Sequence, residues 1–227
     1  YSEYDWIALP YIDKDGSIAN VKYRKVTKEF RQTAKAKKIL YNYNNIHNKT
    51  TVIFCEGEID VLSLAQVGYD NATTLSDGAA PTVSTDENDT RFQGLSNSPI
   101  EAEKVVLFCD NDKAGNALKE SILWRVGKDK CWYVSLSSYP DCKDANDVLV
   151  KHGEEKLKEL VESAIPYPVE GLYKANDYAA EIIDMYEGRY VKPVTIGIEG
   201  LDHLYKIQKG TFHTITGVPN HGKSLML

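Results

Sequence analysis

Acidic residues follow two apolar segments of the sequence. T-V-I-F-C at 51–55 runs directly into Glu56, and K-V-V-L-F-C at 104–109 runs into Asp110 and Asp112. Short runs rich in valine, isoleucine and phenylalanine are typical of buried parallel strands. Because the carboxyl ends of parallel strands meet at one edge of a sheet, where ligands bind, we expect the three carboxylates to lie close together.

Clustered carboxylates repel one another unless a cation lies between them. Oxygen ligands without histidine or cysteine suit the hard cations Mg²⁺ and Mn²⁺. We therefore expect a divalent-metal site that works on phosphates, at the edge of the sheet formed by these two strands.

The charge of the chain is unevenly distributed. The whole sequence has a net charge of −6, whereas residues 20–50 contain nine lysines or arginines and one acid, which gives that segment a net charge of +8 (9 − 1). A basic segment beside a carboxylate cluster is typical of an enzyme that acts on nucleic acid, although a solvated basic surface is the simpler explanation. Lys22 and Arg24 share one face of a predicted strand, where they can meet phosphate or nucleotide.

The elements that must position these residues alternate between strand and helix. The predicted strands of the main sheet are 51–55, 71–75, 104–109 and 131–136, and the predicted helices are 59–67, 114–126 and 153–163. This alternation predicts an α/β fold with a parallel sheet and helices on both faces. A small β-rich subdomain, with a hairpin of strands 6–12 and 18–26, should precede it.

The last part of the chain carries a second phosphate motif. I-P-Y-P at 165–168 predicts a linker, 176–187 an amphipathic helix and 211–216 a strand. That strand would lead into G-V-P-N-H-G-K-S, which has the spacing of a phosphate loop. The residues of the loop that would contact ATP phosphates and Mg²⁺ are Gly217, Gly222, Lys223 and Ser224.

Several classes of protein are disfavoured. No apolar run approaches the length of about 20 residues that crosses a bilayer, so we expect no membrane and a cytoplasmic setting. The four cysteines show no C-x-x-C spacing and are expected to be small core residues. We interpret the chain, which starts without methionine and stops just after the phosphate loop, as part of a longer protein.

Three motifs together resemble a known family. E-G-E-I-D-V-L-S-L-A-Q, D-N-D-K-A-G and K-D-A-N-D-V-L are similar to the Toprim domain of bacteriophage-type DNA primase-helicases and of Twinkle, and G-I-E-G-L-D with the phosphate loop resembles the entry into a RecA-like helicase domain. The resemblance implies four parts. They are an N-terminal primase subdomain (1–50), a Toprim domain (51–165), a linker with a helix (166–192) and the truncated start of a helicase domain (193–227).

The resemblance also implies roles for matching residues. Glu56 would be a general base or acid and help to hold the metal, Asp110 and Asp112 would be Mg²⁺ ligands, and Asp144 would be a further acid near the metals. Lys143 would act close to the phosphates in catalysis.

Lys22 and Arg24 would contact the incoming nucleotide. The implied activity is Mg²⁺-dependent synthesis of RNA primers from NTPs on single-stranded DNA, in a parent protein that forms an oligomeric ring and uses ATP as a helicase. The resemblance also implies a bacterial or phage-infected cell.

Two other functions are weighed against this one. Phage primases of this kind carry a cysteine-rich zinc module, which this sequence lacks, so a non-priming Toprim module that binds DNA and organises a ring helicase is the alternative. A Toprim nuclease or topoisomerase is disfavoured by the linker and the phosphate loop.

Overall fold

A computed structural model describes residues 5–171, 173, 175–189 and 192–222. The chain divides into two compact units, with the boundary between Glu170 and Gly171. Every helix among the described residues is too short or too polar to span a membrane.

A three-stranded antiparallel sheet opens the first unit. Its strands are β1 (Trp6–Ile12), β2 (Ile18–Lys25) and β3 (Phe30–Gln32), in that order across the sheet. The predicted hairpin is confirmed: Gly16 takes the positive φ of +84° that the tight turn needs. Helix α1 (Tyr43–Ile46) follows in the basic segment.

The main sheet has five strands in the order β5-β4-β6-β7-β8. Their bounds are β4 (Thr51–Cys55), β5 (Ala72–Thr73), β6 (Lys104–Phe108), β7 (Cys131–Tyr133) and β8 (Ile165–Pro166). The first four are parallel and β8 is antiparallel to β7. The sheet is therefore mixed. Residues 165 and 166, which we predicted as linker, form an edge strand, a position where the missing N–H of a proline is tolerated.

Helices follow the strands. They are α2 (Glu58–Gln66), α3 (Gln93–Asn97), α4 (Lys113–Val126), α5 (Ala145–His152) and α6 (Glu154–Glu162). Because β4 leads through α2 to β5 on one side and β6 leads through α4 to β7 on the other, right-handed crossovers place α2 and α4 on opposite faces, as predicted. Helix α5 was not predicted.

One continuous apolar core joins the two sheets of the first unit. Tyr11 of β1 and Leu40, which precedes α1, are fully buried in the same cluster as Phe54 of β4 and Leu107 of β6. The four cysteines are free, and none is exposed: Cys55, Cys131 and Cys142 are buried, and Cys109 is partly buried.

The second unit contains fewer regular elements. A 3₁₀ turn at Ala175–Tyr178 leads into helix α7 (Ala179–Tyr186), which confirms most of the predicted linker helix. The strand predicted over 211–216 is wrong, since these residues form no strand and Phe212 is 94% exposed. A strand needs a neighbour to pair with, and in the described part of this unit the only bridge joins Val194 and Ile207.

The phosphate loop is only partly described. Gly217 and Gly222 lie in an irregular segment, whereas Lys223 and Ser224 lie outside the described residues.

Candidate active site at the carboxyl edge of the main sheet

The strand order of the main sheet reverses between β4 and β6. From β4 the chain moves to β5 on one side, and from β6 it moves to β7 on the other. The helices that follow these strands leave in opposite directions, which opens a crevice at the carboxyl ends of β4 and β6. Glu56 directly follows β4, and Asp110 lies two residues beyond the end of β6. The topology therefore places both acids at the position where open α/β sheets bind ligands.

A cavity of about 260 Å³ lies at this edge, and most of its lining is charged. It is lined by Lys22, Arg24, Lys28, Phe30, Glu56, Gly57, Glu58, Asp60, Gly78, Asp110, Lys143 and Asp144. Residues of β2 and of the loop after it thus meet the acids of the main sheet. All but one of the residues predicted for the primase site line this cavity; the exception is Asp112, which contacts Lys143.

Glu56 has a buried carboxylate oxygen, Oε2, that has no hydrogen-bond partner among the described residues. Burial raises the pKa of Glu56 to about 7, and the nearby charges of Asp110 and Asp112 add to this rise. The strand-end position is held by Thr74, whose hydroxyl donates to the backbone carbonyl of Glu56 over 2.8 Å. An unpaired buried carboxylate oxygen is costly unless a proton or a cation satisfies it.

Lys143 lies between the two aspartates of the D-N-D motif. Its Nζ is 2.6 Å from Asp110 Oδ2 and 3.5 Å from Asp112 Oδ2. Burial raises the pKa of Asp110 in spite of this ammonium, whereas the pKa of Asp112 is lowered, chiefly by the backbone N–H of Gly115. Contact with Asp110 raises the pKa of Lys143. The ammonium therefore stays charged where the sequence predicted a metal cation.

The start of α4 packs directly against Asp110. Asp112 caps this helix, accepting a hydrogen bond of 2.9 Å from the N–H of Gly115. A Cβ atom on Gly115 would lie 2.2 Å from the backbone oxygen of Asp110, so only glycine fits at this position. The sequence D-N-D-K-A-G thus fixes both aspartates through a helix cap and a close backbone approach.

Asp144 caps α5 in the same way: its side chain accepts a hydrogen bond of 2.7 Å from the N–H of Asp147. Asp60 is buried in the first turn of α2 and accepts from the N–H of Asn146 over 3.2 Å. Burial, with the charge of Asp144, raises the pKa of Asp60 to about 7. Asp60 holds α2 against the start of α5 through this hydrogen bond.

A buried network next to the cavity was missed at the sequence level. Glu58 accepts a hydrogen bond of 2.7 Å from Lys22 Nζ and one of 2.5 Å from the hydroxyl of Tyr11, and Lys22 also donates to the carbonyl of Ser76 over 3.0 Å. Lys22 is therefore engaged with protein groups at the cavity wall. Arg24 lies beside it, 5.7 Å from the Phe30 ring centroid. The contacts of Glu58 join residues 36 and 47 positions apart, so no local pattern announces them.

The donors at the sheet edge suit a hard divalent cation. Glu56, Asp110 and Asp112 offer oxygen ligands only, and one oxygen of Glu56 is buried without a partner in the described part of the chain. The ammonium of Lys143 bridges two of these acids, so a metal would have to displace it. The residues present fit Mg²⁺ or Mn²⁺ once Lys143 moves aside.

An acidic crevice at the switch point of a mixed α/β sheet, built from E-G-E and D-N-D, is the arrangement that we expect of a Toprim domain. Residues 53–149 match the family model described as Toprim-like. The chain therefore contains a Toprim domain, and it is homologous to Twinkle-like proteins, as the following relatives show.

Two plant relatives cover much of the chain. The chloroplastic/mitochondrial Twinkle homolog protein of Arabidopsis thaliana is 37% identical over 231 residues, which are 96% of this chain and 32% of that protein. The primase homolog protein of the same organism is 37% identical over 174 residues, 72% of this chain and 51% of that protein. The chain thus spans about a third of the length of the first relative and about half of the length of the second.

A solved structure has the same fold. It contains the bacteriophage T7 lagging-strand DNA polymerase with primase domains bound to an RNA/DNA hybrid and dTTP. The match has a TM-score of 0.58 at 22% identity and covers 71% of this chain and 79% of that one. The predicted Toprim fold, with its antiparallel N-terminal subdomain, is confirmed.

Proposed function

We propose that the first unit is a primase core that joins ribonucleotides on single-stranded DNA with Mg²⁺ or Mn²⁺. The observation that carries the proposal is the convergence of Glu56, Asp110 and Lys143 in one cavity with Lys22 and Arg24 from the N-terminal sheet. Acids that can hold a metal thus face Arg24, a basic group that can hold phosphate, while Lys22 is fixed in the cavity wall by Glu58. The solved structure with the same fold includes primase domains bound to an RNA/DNA hybrid and a nucleotide, which supports this substrate class.

Each residue has a role that follows from its position. Glu56 presents a buried unpaired oxygen, which can accept a proton or a metal. Asp110 and Asp112 are held by β6 and the cap of α4, so their carboxylates are oriented before a ligand arrives. A bound divalent metal would supply charge neutralisation for the triphosphate and activation of the primer hydroxyl.

The basic residues of the cavity complete the site. Lys143 is half exposed, so its ammonium can turn from the aspartates to a phosphate when a metal takes its place. Arg24 lines the same cavity without an ion pair to an acid among the described residues, and we assign it to the phosphates of the incoming nucleotide. Asp144 lies at the cavity wall as a further acid near the metal.

The test is incorporation of labelled NTPs on single-stranded DNA with Mg²⁺ or Mn²⁺. Wild type should yield dinucleotides or longer products. Glu56→Gln keeps the shape of the side chain and removes the ionisable oxygen, so the rate should fall by about 10²–10⁴-fold. Glu29→Gln, at an exposed position of the basic segment, is the matched control and should leave the rate unchanged. Equal rates for wild type and Glu56→Gln would refute the role of this acid.

A second candidate is a Toprim module that binds DNA and organises a ring helicase without priming. The position of Lys143 favours it, because an ammonium that already bridges Asp110 and Asp112 competes with a metal. Under this alternative the chain binds single-stranded DNA, and neither wild type nor Lys143→Met incorporates NTPs.

We further propose that the parent protein is a ring-forming, ATP-dependent helicase. The phosphate-loop motif at 217–224 and the Twinkle homolog relative support this proposal. Gly217, Gly222, Lys223 and Ser224 would bind ATP in that context. We also propose a cytoplasmic location, although the plant relative is named chloroplastic/mitochondrial.

A further inference from the structure

A second group of metal-ligating side chains lies at the surface of the first unit. Asp141 and Cys142 belong to the loop before α5, and His152 is the last residue of that helix. One ligand atom from each residue lies within 4.8 Å of the other two. We propose that these three side chains form a binding site for a transition-metal ion, with Zn²⁺ as the cation that their chemistry favours.

The donor types distinguish this site from the catalytic edge. A thiolate, an imidazole and a carboxylate form a mixed set of sulfur, nitrogen and oxygen, which suits Zn²⁺ and disfavours Mg²⁺. Three protein ligands leave the fourth position of a tetrahedral zinc ion for water. The acids at the sheet edge offer oxygen alone, so the two sites should select different metals.

The loop and the helix already hold the three side chains together. Cys142 donates its backbone N–H to the carbonyl of Tyr139 over 3.0 Å, and Tyr139 donates to that of Leu136 over 2.9 Å, which closes a turn. The ring of Tyr139 packs edge-on against His152, with centroids 4.9 Å apart, and restricts the imidazole. His152 Nε2 lies 3.2 Å from Asp141 Oδ2.

The exposure of the three residues suits an ion that enters from solvent. Cys142 is buried, with 3% of its surface exposed, whereas the side chains of Asp141 and His152 are 53% and 32% exposed. The sulfur therefore forms the floor of the site, and the two exposed ligands form its mouth. The simpler explanation is a surface ion pair over a core cysteine, and it predicts no metal binding.

The backbone connects this site to the acidic edge of the main sheet. The chain passes from Cys142 directly to Lys143, whose carbonyl accepts a hydrogen bond of 2.8 Å from the N–H of Asn111. Asp144 then caps the helix that ends in His152. A metal held at both ends of this segment would fasten the loop that carries Lys143. The inference stands independently of the proposed primase activity.

The test is titration of the whole chain with Co²⁺, followed by displacement with Zn²⁺. Wild type should bind Co²⁺ with a thiolate-to-metal charge-transfer band that Zn²⁺ abolishes. In Cys142→Ser the band should be absent, and the Zn²⁺ affinity should be lower by at least about 100-fold. Loss of a residue that only hydrogen-bonds to a metal ligand already costs about 10–100-fold in affinity. Cys131→Ser, which changes another buried cysteine, and Glu56→Gln should retain the band.

A second variant guards against misfolding at the buried cysteine. His152→Gln alters a partly exposed side chain, so it should fold as wild type by circular dichroism while Zn²⁺ no longer raises its Tm. The proposal is overturned if Co²⁺ gives wild type no thiolate band, if the band survives in Cys142→Ser, or if Zn²⁺ raises the Tm of His152→Gln as much as that of wild type.

Discussion

Two lysine–carboxylate contacts line the same cavity and differ in how far water reaches them. The side chains of Lys22 and Glu58 are 10% and 4% exposed, and both are fixed by further hydrogen bonds. The side chain of Lys143 is 53% exposed, although its partner Asp110 is only 7% exposed. The first contact is part of the interior, whereas the second can open to solvent.

The difference shows which acids are free to bind a ligand. Withdrawing Lys22 would leave Glu58 buried without its cation, which is strongly unfavourable. Lys143 can instead move into water, and a metal can replace its charge between Asp110 and Asp112. Asp110 and Asp112 can therefore exchange the Lys143 ammonium for a metal, whereas Glu58 keeps its lysine and is structural.

The largest expected effect on stability comes from breaking the buried contact. Glu58→Gln leaves the Lys22 ammonium without an acid, so the free energy of unfolding should fall by about 3–5 kcal/mol. Urea unfolding measures the change. Glu29→Gln breaks the exposed pair with Lys25 and should cost less than about 1 kcal/mol. A loss as small as that of the control would mean that Glu58 is not structural.

A smaller effect is expected where α4 meets the loop that carries Asp110. The Cβ of Gly115→Ala would lie 2.2 Å from the backbone oxygen of Asp110, so the loop must shift, at a cost of about 1–3 kcal/mol in unfolding free energy. Gly94→Ala in α3 is the matched control, because its Cβ would meet nothing closer than 3.4 Å. If both variants unfold at the same urea concentration, the close approach at Gly115 is not a constraint.

The smallest effect is expected at the open contact, and it should depend on metal. Lys143→Met removes a half-exposed ammonium and should lower the free energy of unfolding by about 1 kcal/mol without divalent ions. Mg²⁺ should restore this loss, because the metal takes the position of the ammonium. The loss in Glu58→Gln should persist in Mg²⁺. An unchanged deficit of Lys143→Met in Mg²⁺ would argue against exchange at Asp110.

The acidic edge of the main sheet was predictable because its signals are local. Strands β4 and β6 are continuous apolar runs, and the acids that follow them in the sequence must meet at one edge of a parallel sheet. Helix α5 was missed because it is short and half polar, although Asp144 followed by Asp147 three residues later is a readable cap.

Other features depend on partners that are distant in the sequence. The contacts of Glu58 with Lys22 and Tyr11 arise only when the N-terminal sheet packs on the main one. The strand expected over 211–216 was predicted from composition alone, but composition does not supply the neighbour that a strand requires. Apolar runs in the sequence thus predicted the edge where the acids meet, whereas packing decided which of the charges there are free.

Titration with Mn²⁺, followed by electron paramagnetic resonance, tests the central claim most directly. Wild type should bind Mn²⁺, and Mg²⁺ should compete for the same site. The double variant Asp110→Asn, Asp112→Asn should bind Mn²⁺ about 10–100-fold more weakly. His152→Gln, outside the cavity, should bind as wild type. Equal affinity of wild type and the double variant would show that the acids at the sheet edge do not form the metal site.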